Sequence, residues 1–287
     1  MGTAQRKKAK SMDISGIFSI WSAFDPDLSP EETVLAMERR GIRVCELSFD
    51  DGEALLARGS DHAAIGEAFR AYAARHGMTF PQAHLLLSAR LCAEGTAEML
   101  RDRLTLYAAC GVKNAVLHCD IFSFPDGTPL DVMKRENAMK LRELLPTAEA
   151  LGIRICLENL RLVFTRVEDL LDVISLAGGS DALGICLDTG HLNIGCPGTH
   201  IHFIRAAGPR LHALHIDDNE GGPGDQHLMP FGRGQVDFIS LIPVLREIGY
   251  TGLFNHEIPG ETNLPLPLRD AKAAYLRRVT EYLWNGQ

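Results

Sequence analysis

What the 287 residues lack narrows the choice of function first. No stretch of eighteen apolar residues is present to cross a bilayer. The seven cysteines are odd in number and scattered, with no Cys-x-x-Cys pair. That pattern argues against a disulfide framework or a structural zinc site and makes a reducing cytoplasm the expected setting. Basic residues are too few to dominate: the net charge is −8, and only the start carries a basic cluster (Arg6, Lys7, Lys8, Lys10). Neither nucleic acid nor an anionic membrane is therefore expected as a partner. Beyond that start, lysine occurs only at Lys113, Lys134, Lys140 and Lys272, on predicted helices or at the beginning of a strand, which disfavours Schiff-base chemistry. No Gly-x-Gly-x-x-Gly follows the first apolar run, so a dinucleotide-binding open sheet lacks its signature.

What is present is a repeat. The basic start followed by IFSIWSAF faintly imitates a signal peptide, but Asp13 and the serines break its apolar core, and residues 1–12 read as a flexible leader. The apolar run 14–21 predicts the first strand. Ser29-Pro30-Glu31-Glu32 then supplies an N-cap, a proline at the first helical position and a glutamate three residues after the cap. Helix, glycine, strand recurs at Gly41, Gly77, Gly111, Gly152 and Gly249, with looser versions at Gly178 and Gly208. Units recurring at roughly 30 to 40 residues predict a single-domain (β/α)8 barrel, an α/β fold, over 13–287. A doubly wound sheet is the runner-up.

Ionisable residues concentrate between 183 and 237, where LGICLDTGHLNIG and LHALHIDDNEGGPGDQHLMPFGRGQVD hold Asp188, His191, His215, Asp217, Asp225 and His227. Alternation along a strand places Gly184, Cys186 and Asp188 on one face, and Leu211, Ala213, His215 and Asp217 on one face of the next strand. His212 is accordingly expected to point away from His215, between strand and helix. Catalytic groups of a barrel sit at the C-terminal strand ends, a rule that selects Glu46, His84, His118, Glu158, Asp188, His215 and Glu257. Buried charges in such numbers need partners or a metal.

Glu158 in LEN, Asp188 and His191 in LDTGH, His215 in LHIDDN, the following Asp225-x-His227 and G-x-G-x-x-D-F, and Glu257 in NHEI together resemble the xylose isomerase-like barrels. That superfamily holds the sugar phosphate isomerase/epimerase and endonuclease IV families, and the resemblance runs from about the second strand to the last helix. For the ketose epimerase branch it implies metal ligands at Glu158, Asp188, His215 and Glu257, with His191 touching substrate. Three carboxylates and one imidazole suit Mn²⁺ or Mg²⁺, and accommodate Co²⁺ or Zn²⁺. The implied reaction is isomerisation or epimerisation of a keto sugar through a metal-stabilised enediolate, with Glu158 and Glu257 as base and acid. It also implies a homo-oligomer, since related barrels often form dimers or tetramers.

Two other chemistries use the same barrel. The endonuclease IV branch implies three metals on His84, His118, Glu158, Asp188, His191, His215, Asp225, His227 and Glu257. Its DNA-cleaving mouth should be basic, whereas Asp217, Asp218, Glu220 and Asp225 here face one arginine, Arg233, and the loops SAFDPDLS and FDDGE are acidic too. An inosose dehydratase-type lyase would expel a β-hydroxyl from the same kind of intermediate. Outside the four ligands, His84, His118, Asp225, His227 and Glu46 are expected to contact substrate or additional ions, Glu46 by bonding substrate hydroxyls or pairing with an arginine. Trp21, Phe122, Phe124 and Phe231 are read as an aromatic wall or as packing. Arg161 and Arg233 are the candidates for holding a phosphate, although the acidic mouth favours an unphosphorylated polyol or keto sugar.

Overall fold

A computed structural model describes residues 13–286; the basic leader expected over 1–12 lies outside the described residues. Eight parallel strands run β1 Phe18–Ile20, β2 Val44–Leu47, β3 Thr79–Leu86, β4 Asn114–His118, β5 Arg154–Glu158, β6 Leu183–Asp188, β7 Leu211–Ile216 and β8 Phe254–His256. Each pairs with its sequence neighbour from β2 to β8, and β8 pairs with β1. A parallel bridge between Trp21 and Glu46 joins β1 to β2 and closes the (β/α)8 barrel. Helices α1 Pro30–Arg39, α2 Phe49–Leu56, α3 His62–Arg75, α4 Thr96–Cys110, α5 Leu130–Leu151, α6 Val167–Leu176, α7 Thr189–Gly195, α8 His200–Ala207, α9 Phe238–Glu247 and α10 Leu266–Asn285 surround it. No described helix is long and apolar enough to cross a membrane.

The local signals act as their chemistry requires. Ser29 and Glu32 form the reciprocal cap at the start of α1. Gly111 and Gly152 end α4 and α5 with φ of 96° and 64°, left-handed values that a Cβ would oppose. Leu117, Leu157, Leu187 and Leu214 point outward into the main apolar core beneath the helices. Val116, Cys156, Cys186 and Ala213 form a separate buried layer inside the barrel. Two residues further along the same strands, and so on the same inner face, come His118, Glu158, Asp188 and His215.

Three expectations need correction. The first strand is shorter than the apolar run, because Ile17 and Phe18 both donate backbone bonds to Ile14 O and turn the chain there. FDDGE is not an acidic loop: Ser48 accepts from the Asp51 N–H and starts α2 over it. The third concerns His212. Ile185 pairs with Leu211 but Cys186 pairs with Ala213, so β7 carries one extra residue, a bulge that resets the alternation. Leu211 therefore joins the outer core. His212 lies beside Arg154 at the lower end of the barrel, where a Cβ on Gly184 would sit 2.7 Å from Arg154 Cδ and 2.8 Å from His212 Cδ2. Burial, with Arg154 and Arg210 nearby, pushes its pKa down to about 4.

His256 of β8 is fully buried between Phe18 and Phe254, with Nε2 2.9 Å from Thr280 Oγ1. Burial lowers its pKa to about 3. The unfolded chain, titrating near 6.5, binds a proton that the folded one refuses, so stability falls as pH drops below about 6.5 and stops falling near the folded value. Between pH 7 and 5 this residue alone should remove about 2 kcal/mol of unfolding free energy. Denaturant unfolding at both pH values should show that loss in the wild type and lack it in His256→Gln; an equal loss in both would place the acid lability elsewhere.

Candidate metal centre

Four side chains from four strand ends converge at the C-terminal mouth. Glu158 closes β5, Asp188 closes β6, His215 lies near the end of β7, and Glu257 follows β8. One donor atom from each lies within 4.8 Å of all the others, and all four residues are buried. His215 Nδ1 is 2.8 Å from Glu257 Oε2, 3.4 Å from Glu158 Oε2 and 4.0 Å from Asp188 Oδ2. Asp188 Oδ2 is buried without a hydrogen-bond partner, and His215 Nδ1 is buried with only carboxylate oxygens of this group around it. An orphaned polar atom of this kind is costly unless something binds it, and here it faces a centre ringed by further carboxylates and one imidazole. Oxygen donors with one imidazole fit a divalent cation.

Local structure aims these groups. Asp188 N-caps α7, its Oδ1 accepting from His191 N at 2.5 Å, which leaves Oδ2 for the centre. Asn159 braces the strand end, its side chain bonding both the N–H and the C=O of Asp188. The turn into α7 is tight: a Cβ on Gly190 would lie 2.2 Å from Asp217 Oδ2, and the Asp217 carboxylate accepts from Gly190 N. His227 Nδ1 donates to Glu257 O at 2.7 Å and fixes the strand-eight end.

The charges are interdependent. Burial alone would raise Glu158, but His118, His215 and hydrogen bonds from His118 and His191 hold it well below the usual carboxylate range. Glu257 is likewise held down to about 2 against its burial by His215 and His227. Asp188 is pushed up to about 6 by burial, with Glu158 and Glu257 repelling its charge. Burial and the neighbouring Asp188 drive Asp217 well above its ordinary range. His215 and His191 are raised well above the imidazole value despite burial, because carboxylates surround them, and His227 is raised to about 9. Protons on imidazoles thus balance the acids, and those are the protons that cation binding would displace.

The other ionisable residues singled out at the strand ends and in the loop after β7 lie around this centre, with differing partners. His84 Nε2 and His118 Nε2 approach Glu158 Oε2 at 3.3 and 3.1 Å. His84, Glu158 and His215 form a second group with ligand-like spacing. His191 touches Glu158 Oε1 at 3.2 Å and Asp225 Oδ1 at 3.3 Å, and His227 Nε2 lies 3.9 Å from the same Asp225 oxygen. Glu46 bonds neither an arginine nor the open mouth: it is fully buried and lies 3.0 Å from His215 Nε2. Trp21 stacks on His227 with centroids 6.5 Å apart, while Phe231 packs on Phe238 and Tyr282, away from any common wall. Phe122 is exposed beneath Arg90.

The mouth is less acidic than its sequence. Asp218 is buried, accepting from Asn219 N and Val236 N, and Gly234 packs so closely on it that a Cβ would meet its Cγ at 1.9 Å. Asp217 is buried as well. Arg161 lies 3.9 Å from Asp225, and Arg233 lies 3.4 Å from Glu220. Gln82 and Asn255, which hold Glu46, were not singled out from the sequence. The signal was available in strand parity, since Gln82 shares a face with His84 and Asn255 with Glu257.

Similarity to known proteins covers the same region. Solved structures of D-psicose 3-epimerase from Clostridium cellulolyticum H10 and of the 3-keto-D-glucoside 4-epimerase YcjR from E. coli superpose with TM-scores of 0.77 and 0.70. They are 16% and 20% identical, cover 93% and 92% of this chain, and are themselves 99% covered. In sequence, the uncharacterized protein y4fM of Sinorhizobium fredii is 33% identical over 171 residues, 56% of this chain and 52% of that protein. The uncharacterized protein MJ1311 of Methanocaldococcus jannaschii is 33% identical over 126 residues, 42% of each. The chain thus spans about half the length or less of the curated relatives it matches. A family model described as xylose isomerase-like TIM barrel matches residues 34–279, and the chain belongs to that family.

Proposed function

We propose that this protein is a metal-dependent isomerase or epimerase of a small keto sugar. The observation that carries the reading is the buried convergence of donor atoms from Glu158, Asp188, His215 and Glu257, with Asp188 Oδ2 unpartnered. These four residues would hold a divalent ion, Mn²⁺ or Mg²⁺ by donor type, with Co²⁺ or Zn²⁺ also accommodated. When bound, the ion supplies Lewis acidity at a substrate carbonyl. Glu158 and Glu257 would then act as a base and acid pair, one, ionised, removing the proton from the adjacent carbon and keeping it, the other, having taken up a proton in the substrate complex, delivering its own. Return to the same carbon from the opposite face gives epimerisation, and return to the neighbouring carbon gives isomerisation.

The names of the structural neighbours, two 3- and 4-epimerases of sugars, support the same substrate class. Arg161 and Arg233 are each beside a carboxylate, so neither is free to hold a phosphate, which favours an unphosphorylated sugar. His191 and His227, grouped around Asp225 above the four ligands, are placed to bond sugar hydroxyls. We place the protein in the cytoplasm, on its scattered thiols, and read it as a homo-oligomer.

One observation favours a second reading. The side chains of His84, His118, His191, Asp225 and His227 gather beside the same four ligands, so a three-metal hydrolase of abasic DNA has its full set of residue types. The arginines that would receive phosphates are instead matched to Asp225 and Glu220, and binding of duplex DNA rests on uncompensated positive charge.

Incubation with Mn²⁺ and a panel of keto sugars in D₂O should place deuterium on the carbon beside the carbonyl, and Glu257→Gln should abolish exchange while the chain stays folded. Exchange with loss of water from the product would assign a dehydratase. Nicking of abasic duplex without exchange on any sugar would overturn the isomerase reading in favour of the nuclease. The bulge in β7 adds a control: His215→Ala should lose retained Mn²⁺ on equilibrium dialysis, whereas His212→Ala should keep it, and equal loss in both would contradict the ligand assignment.

A further inference from the structure

We propose that Glu46 is a positioning residue that fixes the ring orientation and tautomer of His215, and so makes His215 Nδ1 a metal ligand. The inference rests on the metal reading above and adds a residue to it. Glu46 is fully buried, and its oxygens are taken up by His215, Asn255 and Gln82, which leaves none for a substrate hydroxyl. Its two oxygens lie 3.1 and 3.0 Å from His215 Nε2. Asn255 Nδ2 donates to Oε2 at 2.9 Å, and Gln82 Nε2 donates to the same oxygen. Asn255 is itself oriented, because its Oδ1 accepts from Ser19 Oγ at 2.7 Å. Four strands, β1, β2, β3 and β8, thus contribute to one acceptor beneath the β7 histidine.

The consequence follows from imidazole chemistry. A neutral imidazole has one N–H and one lone pair, and the nitrogen that faces a carboxylate takes the hydrogen. Both His215 nitrogens face carboxylates, but Glu46 lies outside the centre and accepts from every polar neighbour it has here, so it keeps the hydrogen on Nε2. The Nδ1 proton, 2.8 Å from Glu257 Oε2, is the one a cation would displace, leaving the Nδ1 lone pair to the centre shared with Glu158, Asp188 and Glu257. An amide in place of the carboxylate would turn one NH₂ toward Gln82, Asn255 or His215, all of which donate. The relief available is to move the His215 hydrogen to Nδ1, which converts the ligand atom into a donor. Glu46 therefore acts through His215 without touching substrate.

The test uses the full-length chain stripped of metal, with Mn²⁺ as the probe of affinity. Calorimetric titration should give Glu46→Gln an Mn²⁺ affinity about 10 to 100 times weaker than wild type. Nitrogen-15 spectra of labelled histidine, recorded with diamagnetic Mg²⁺ as the probe so that His215 is neutral, should place its hydrogen on Nε2 in the wild type and on Nδ1 in Glu46→Gln, a change that a purely structural role for Glu46 would not produce. Should Glu46→Gln fail to fold, Asn255→Ala, which removes one of the props, should weaken Mn²⁺ binding in the same direction by a smaller factor. Affinity within roughly twofold of wild type in whichever variant folds, with the hydrogen still on Nε2, would overturn the inference. A wild type that does not bind Mn²⁺ would overturn the metal reading itself.

Discussion

The burial of like charges at one end of the barrel is the constraint from which the rest of this structure follows. Glu46, Glu158, Asp188, Asp217 and Glu257 are all at most 5% exposed and lie within a few side chains of one another. Removing an ionised carboxylate from water costs far more than any single packing contact returns, so each must be neutralised, bonded or coordinated. Among the described residues their partners are imidazoles, amides, a hydroxyl and backbone N–H groups, with no lysine or arginine. The proposed cation would neutralise that group where imidazolium protons alone do so now.

The fold holds the charges by rigid closure. The barrel is joined between β1 and β2 at Trp21 and Glu46, so the seam and the support of His215 involve the same residue. The rim is tied by a second buried network, in which Asp25 after β1 bonds Arg40 just after α1 and Arg269 of α10, and Arg269 also bonds the C=O of Thr262 and Leu264 in the loop after β8. Gly260 lies against that strap, where a Cβ would fall 2.1 Å from Phe24 O. Removing one partner of such a buried pair leaves an uncompensated charge, typically at a cost of about 3 to 5 kcal/mol. The loops after β1 and β8 are thereby tied to one another at the rim, the kind of support that coordination geometry and proton transfer both require.

Much of this was legible in the chain itself, because barrel strands announce their inner face by alternation and their ends by ionisable residues. Glu158, Asp188, His215 and Glu257 follow from that logic once the family resemblance is seen, and their donor atoms do share one centre. Alternation failed at His212 because a bulge is one extra residue in the pairing of β7 with β6, and nothing in LHALHID marks it. The mouth is less acidic than its sequence for a related reason: Asp217 and Asp218 fall in a Gly-rich loop, yet their carboxylates accept from backbone N–H groups of tight turns. The partner of Glu46 was out of reach, since an inward glutamate on β2 meets His215 across 169 residues of sequence and only the closed barrel brings them together.

The central claim is that one divalent cation belongs at the meeting point of four strand ends. Crystals grown with Mn²⁺ and measured at its absorption edge would locate the ion directly through an anomalous difference map. The account predicts a strong peak within about 2.0–2.3 Å of a donor atom on each of Glu158, Asp188, His215 and Glu257. A map with no peak there, or with its strongest peak at residues outside this set, would contradict it.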